Sequence, residues 1–491
     1  MAGFLAPDGQ IRATESIAFR WAQYDQLTDS LAPFVVYFAD AKGRLNFPHE
    51  IAQRPDIADP PAHPLHKLQD DPSLLQAVSR RSHEVFRQPL TLDRLSQLAR
   101  LRVGVPDVAP PTIDAVTPEY RAALSNLVPV SEQGDGMRSF MSLLLPLITG
   151  ISKVVIIDEP EAFLHPPQAR ALGRTLAELA RDKRLQIVLA THDKNLLTGL
   201  LEPSDVEVSV VRLTRDNDRE VKAHQLDDTS LRTIWSDAAL RYTNVLDGLF
   251  HRLVVLCEAE RDCHFYTAAL DSLSDTEEVE LPPSEVLFVP SGGKDGMVKL
   301  VRALGQISVP VVVSPDLDVL DDENKMRALV ETMGRSWQTF AADYRIATQP
   351  FRQHRTPARA SDVLLAIDAV LRPLGEAPFS AAARESILAH TRHAESPWKA
   401  LKRYGTEAFL GEAAGAAGRL LDSLDQIGIV LVRRGELERM APTLGVAKGP
   451  AWLPAALDAM AHTDEHAQAH IRRVVEAGRA LIGAIAAGKG S

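Results

Sequence analysis

The chain has 491 residues, 45% hydrophobic and 24% charged, enough to bury a sizeable core and to divide into two or three domains. A net charge of −11 excludes general affinity for nucleic acid through bulk charge, so any DNA or RNA contact must use a local basic surface or bridging metal ions. The two cysteines, Cys257 and Cys263, exclude a disulfide framework and a CxxC zinc site, and no apolar run approaches the roughly 18 residues of a membrane span.

The first residues also lack the basic-then-apolar pattern of a signal peptide, so a reducing cytoplasm without membrane attachment fits best. Residues 1–130 yield a short strand at 34–38, a Pro- and Asp-rich stretch at 55–64, a helix at 72–87 and a strand at 100–103. From Gly136 the pattern becomes βα: a helix through Ile148, a strand at 153–157, a helix at 167–181 and a strand at 186–190. That alternation implies a parallel sheet packed by helices. Residues 206–226 read as two antiparallel strands, and a helix over 230–250 leads away. A second βα series follows, with strands at 253–257, 286–289 and 309–313 and helices at 262–272 and 294–304. Beyond about 321 the chain is Ala/Leu/Arg-rich helix, interrupted by one apolar strand at 428–432, and no internal repeat is visible. The expected organisation is a first α/β domain over 1–228, a connecting helix over 229–251, a second α/β core over 252–330, a helical insert over 331–425, and a C-terminal part of the second domain with a helical tail over 426–491.

In the first series an apolar strand delivers Asp158 and Glu159 side by side, as a nucleotide-hydrolysing site requires: one carboxylate to hold a Mg²⁺-bound water, the next to polarise the attacking water. Around it stand Ser131-Glu-Gln-Gly-Asp-Gly136, the His165-Pro166-Pro167 turn opening a helix, and Ala190-Thr-His-Asp193 after the next strand. The order and spacing resemble ABC-type ATPases of the structural-maintenance and recombination group. The resemblance implies that Ser131, Gly134 and Gly136 meet the γ-phosphate of ATP held by the opposite subunit, at a helix N-terminus. It implies Glu159 as catalytic base, Asp158 as the magnesium residue and His192 as the switch histidine. For Ser131 a simple N-cap is the plainer alternative. The Gly-rich loop ending in Gly-Lys-Ser/Thr that would cradle the phosphates is not in this sequence. In the family it lies N-terminal to everything seen here. The expectation is either that the start of the protein precedes this sequence or that this member has given up autonomous ATP hydrolysis.

In the second series the strand at 253–257 ends in Glu258, with Asp262 one helical turn on, and the strand at 309–313 leads to Asp316-Leu-Asp318. Alternate residues on an extended chain share a face, so Asp316 and Asp318 point together. Carboxylates converging at the C-terminal edge of a parallel sheet make a hard-ligand site for Mg²⁺ or Mn²⁺, able to activate water and stabilise the leaving oxygen of a phosphodiester. This resembles the Toprim domain, and the order of ATPase half then Toprim resembles the OLD (overcoming lysogenization defect) family of ATP-dependent nucleases, over roughly residues 30–460. The resemblance implies Glu258, Asp262, Asp316 and Asp318 as metal ligands, Glu436 or Glu438 in support, and Lys448 stabilising phosphate charge. The Ser291-Gly-Gly-Lys294 turn is placed to meet a phosphate, although a plain surface lysine is the blander reading of both Lys294 and Lys448. The first motif here reads Glu-Ala-Glu-Arg-Asp, where family members commonly have Gly after the glutamate.

Nucleic acid has two candidate contact strips. Between Tyr344 and Ser361 stand Arg345, Arg352, His354, Arg355 and Arg359 with no acid among them, with Phe351 or Trp337 for base stacking; Trp398, Lys399, Lys402, Arg403 and Tyr404 form the second. The combined expectation is an OLD-like DNA endonuclease regulated by an ABC-type nucleotide-binding domain. Homodimers or larger assemblies, a partner defence protein, and a role against phage or plasmid DNA are implied by the resemblance. Two other readings stay open: a regulatory or scaffold subunit supporting another effector, and a recombination-type DNA-repair ATPase.

Overall fold

Two parallel sheets organise the chain, one in each of two units, Met1–Val208 and Ser209–Ser491. The computed structural model describes residues 3–5, 11–13, 35–215, 221–226, 244–352, 360–387 and 398–486 and a few isolated positions, with gaps of one or two residues at 57, 113–114, 151, 308, 376–377, 381 and 385.

In the first unit, β1 (Val36–Ala39), β2 (Val154–Asp158) and β3 (Gln186–Ala190) form a parallel sheet in that order, with Phe38, Ile156 and Val188 in one cross-strand row. Val155 and Ile157 point into the core, whereas Phe38, Ile156 and Val188 lie on the exposed face. A long apolar helix, α1 (Asp135–Thr149), fills the core side with Phe140, Met141, Leu144 and Ile148. Pro146 sits inside this helix and has no N–H to give Ser142, four residues back; the Tyr37 hydroxyl donates to that carbonyl instead, at 3.3 Å. A small antiparallel sheet, Glu50–Ala52 with Leu98–Val103 and Leu90–Asp93, adjoins it. The expected helix at 72–87 runs Pro72–Phe86 and ends in a left-handed Arg87, φ 60°. The helix Pro64–Asp70 and the strand Leu90–Asp93 were not expected, being too short to show a period.

In the second unit the hairpin Val210–Arg215 with Val221–Leu226 precedes a parallel sheet. Its central strand β4 (Leu253–Cys257) is buried throughout, flanked by β5 (Val286–Pro290) and β6 (Val311–Ser314). Such a strand reads as a continuous apolar run because helices cover both faces. The apolar run at 428–432 extends the sheet beyond β6 through two parallel bridges, Val313 with Ile429 and Asp316 with Val432. Helices α2 (Glu260–Thr276) and α3 (Lys294–Gln306) follow the first two strands, and α4 (Glu465–Ala486) packs against α2. Phe265, Tyr266, Trp452 and Ile471 anchor the core. Most of the expected helix over 230–250 lies outside the described residues; its end, Asn244–Phe250, is a 3-10 helix.

Candidate functional site

The Asp158-Glu159 strand end is held by a residue with no apparent role in the sequence. Arg44, 2% exposed, donates to the carbonyls of Asp158 (2.8 Å), Glu159 (2.6 Å) and Ala39 (3.2 Å) and to Ser139 Oγ (3.1 Å). Glu159 takes φ 45°, a conformation that non-glycine residues adopt at a cost of about 1–3 kcal/mol, and its N–H closes on Ala190 O at 3.0 Å. His192 stands beside it, Nδ1 3.6 Å from Glu159 Oε1 and 3.8 Å from Glu161 Oε1. Glu161 is 6% exposed and accepts from Thr191 Oγ1 (2.6 Å) and the His192 N–H (3.3 Å), which ties the loop after β3 to the loop after β2. It was part of the motif run but went unassigned. Gly136 lies where a Cβ would meet the Phe163 carbonyl at 2.6 Å, so only glycine lets the α1 N-terminus approach this loop. Gly134 is the N-cap of α1. Ser131 donates its hydroxyl to Glu50 Oε1 at 2.6 Å, and Glu50 also pairs with Arg100.

The second strand end converges more tightly. Glu258 follows β4, and Asp316 and Asp318 follow β6; one carboxylate oxygen from each lies within 4.8 Å of the others. Glu258 Oε1 accepts from the Asp316 N–H at 3.1 Å, so neighbouring strands fix one another's acids. The Ser291-Gly-Gly turn contributes from β5: Ser291 Oγ lies 2.7 Å from Cys257 O, and the Gly293 N–H donates to Glu258 O at 3.1 Å. Asp316 is 9% exposed, and burial, with Glu258, Asp262 and Asp318 beside it, pushes its carboxyl well above the usual carboxylate range. A carboxyl that resists its own charge through burial first, and neighbouring acids second, is one that a bound cation would relieve. Hard oxygen donors suit Mg²⁺ or Mn²⁺.

Asp262 stands at the α2 N-terminus, Oδ2 accepting from the Ala259 N–H at 2.9 Å, and burial followed by Glu438 raises its pKa. Glu436 and Glu438 are joined to Lys448, whose Nζ lies 2.8 Å and 3.4 Å from their carboxylates; Arg261 reaches Glu438 at 3.4 Å. Burial alone would lower the Lys448 pKa, but Glu436, Glu438 and Asp316 leave it above the ordinary value.

The contact strips need correction. Phe351 and Trp337 are 7% and 5% exposed, Phe351 stacking on Trp398 at 5.4 Å, so neither ring is free for a base. Arg352 pairs with Glu323 at 2.9 Å and lies over the Tyr344 ring. His354, Arg355 and Arg359 fall outside the described residues. Lys402 was expected on a surface strip; it lies 2.8 Å from Asp318 Oδ2, at the carboxylate centre itself.

Residues 13–198 match a family model described as an AAA domain, a description that also names the AbiEii toxin of a type IV toxin–antitoxin system. The Old nuclease of Escherichia phage P2 is 24% identical over 207 residues, covering 39% of this chain and 34% of that protein. The OLD nuclease of Thermus scotoductus is 31% identical over 175 residues, 34% of this chain and 31% of its own length. An uncharacterised protein of Methanocaldococcus jannaschii, MJECL11, is 28% identical over 95 residues, 18% of this chain and 82% of that protein. The chain thus matches about a third of the length of the two nucleases.

Proposed function

From the premise that this chain is a relative of the OLD nucleases and carries an AAA-type domain, we propose that it is a metal-dependent DNA endonuclease with a nucleotide-responsive first unit. The observation that carries the reading is the convergence of Glu258, Asp316 and Asp318 within 4.8 Å at the C-terminal ends of parallel strands. We read residues 252–330 with 426–491 as a Toprim domain. Glu258, Asp316 and Asp318 hold Mg²⁺ or Mn²⁺, with Asp262, Glu436 and Glu438 completing the acidic field. The cation, when bound, supplies a Lewis acid that activates water and stabilises the leaving oxygen of a phosphodiester. Lys448, raised on Glu436 and Glu438, meets the phosphate charge.

In the first unit Glu159, His192 and the α1 N-terminus with Ser131, Gly134 and Gly136 respond to ATP, Asp158 facing its magnesium. The helix N-terminus serves a γ-phosphate presented by a second subunit, which makes a homodimer the working form. The substrate is DNA and the setting is defence against phage or plasmid DNA. Purified protein with Mn²⁺ or Mg²⁺ is expected to nick supercoiled plasmid, and Asp316→Ala to abolish nicking. Intact plasmid with the parent protein, or equal nicking by Asp316→Ala, would sink the reading.

A further inference from the structure

Lys402 belongs to a six-residue helix, Lys399–Tyr404, far along the chain from either acidic motif, yet its Nζ lies 2.8 Å from Asp318 Oδ2. The approach is built into the backbone. Gly405 (φ 59°) is where a Cβ would run into the Arg433 carbonyl, and Gly435 (φ 103°) is where one would run into the carbonyls of Leu401 and Lys402. A side chain at either position would push the helix off the extended run at 428–432. Two further bonds lock the junction: the Thr406 N–H donates to Arg433 O at 2.9 Å, and the Leu317 N–H to Gly435 O at 2.9 Å. Gly435 therefore touches both the turn that carries Asp318 and the helix that carries Lys402. Leu401, fully buried beside Lys402, pins the helix from below.

The pair is asymmetric in its exposure. The Asp318 side chain is 13% exposed and that of Lys402 is 36% exposed, so the lysine side chain keeps more solvent-facing surface than its partner. An ammonium carries three N–H donors, and Asp318 needs one. Lys402 is the cation on Asp318, as Lys448 and Arg261 are on Glu436 and Glu438, and its remaining donors can serve an anion that arrives at the centre. A backbone phosphate is that anion in the nuclease reading, on which the following rests.

We propose that Lys402 is an anion-binding residue of the carboxylate centre, holding Asp318 with one donor and offering the others to a phosphate oxygen of the nucleic-acid backbone. Because it joins the centre through a docked helix rather than through the sheet, the helical insert takes a direct part in substrate binding.

Full-length parent, Lys402→Met and Lys402→Arg are compared in three measurements: Mn²⁺ binding followed by electron paramagnetic resonance, equilibrium binding to a DNA duplex in Ca²⁺, and plasmid nicking in Mn²⁺. Lys402→Met is expected to bind Mn²⁺ at least as tightly as the parent, since a competing cation has left Asp318, to lose about tenfold in duplex affinity and to raise KM for plasmid; Lys402→Arg recovers most of both. Unchanged duplex affinity and nicking would overturn the proposal, and so would a parallel loss of Mn²⁺ binding, which would mean that Lys402 only shapes the centre. If the parent does not nick at all, the nuclease reading fails by itself, and Lys402 is judged by duplex affinity and Mn²⁺ binding on the same criteria. Should Lys402→Met not fold, Lys402→Gln is read in its place.

Discussion

The two units end an apolar strand in acids in nearly the same way, and the outcomes differ. Asp158 and Glu159 come from one strand and lie open, the Glu159 side chain 49% exposed, with their backbone rather than their carboxylates gripped by Arg44. Glu258, Asp316 and Asp318 come from two adjacent strands and face one another around a buried Asp316. A single strand can only present carboxylates; two parallel strands in register can bury and concentrate them where a cation could be held. Under the proposed function the first arrangement would be completed by a nucleotide and its ion, whereas the second brings together three acids that could hold a cation by themselves.

The largest expected effect lies in the second unit. Asp316→Ala should lower metal-dependent plasmid nicking by roughly 100-fold or more, whereas Glu159→Gln should leave nicking without nucleotide close to the parent; equal losses from both would erase the distinction. Next, Arg44→Ala should destabilise the first unit by about 3 kcal/mol or more, because a buried guanidinium and the three carbonyls it holds together are lost at once, and Arg44→Lys should not restore it since an ammonium cannot span them. Urea unfolding resolved by unit measures this. Metal should separate the units too: Mn²⁺ at about 100 times its Kd should stabilise the second unit by roughly 2.7 kcal/mol and leave the first unmoved, and Asp316→Ala should remove the shift.

Acid should do the reverse. Burial, with neighbouring charges, pushes the imidazoles of His49 and His63 down to about 4 from 6.5. Their neutral forms therefore favour the folded first unit fully above about pH 6.5, and that contribution is lost as pH falls toward 4, up to roughly 2–3 kcal/mol for each. Melting temperature followed from pH 7 to 4 should fall, and His49→Gln should flatten the slope; a slope unchanged by His49→Gln would remove His49 as its source. The smallest expected effect is Gly136→Ala, about 1–3 kcal/mol, from the Cβ meeting Phe163 O.

What could be read from the chain alone was whatever is local. The run at 253–257 is apolar because that strand is buried throughout, the run at 154–157 although Ile156 lies on the exposed face, and in both the acids at the end stand out against it. The hairpin, expected over 206–226 and found at 210–226, and the α/β alternation of both units followed from period and turn residues, with boundaries unchanged at 186–190 and 253–257 and shifted by up to four residues elsewhere. Asp316 and Asp318 were legible through their spacing of two. Phe351 and Trp337 misled, since an aromatic in a basic stretch looks the same whether it packs inward or faces solvent.

Sequence by itself thus determined that this protein is a mixed α/β chain with two acid-tipped strands and a kinship to OLD nucleases, because strand period and motif order are properties of neighbouring residues. Only the tertiary structure decided that Arg44 grips a strand end 114 residues away and that Lys402 joins Asp318. Those contacts depend on strand order and on backbones drawn close at glycines, and no linear spacing records either.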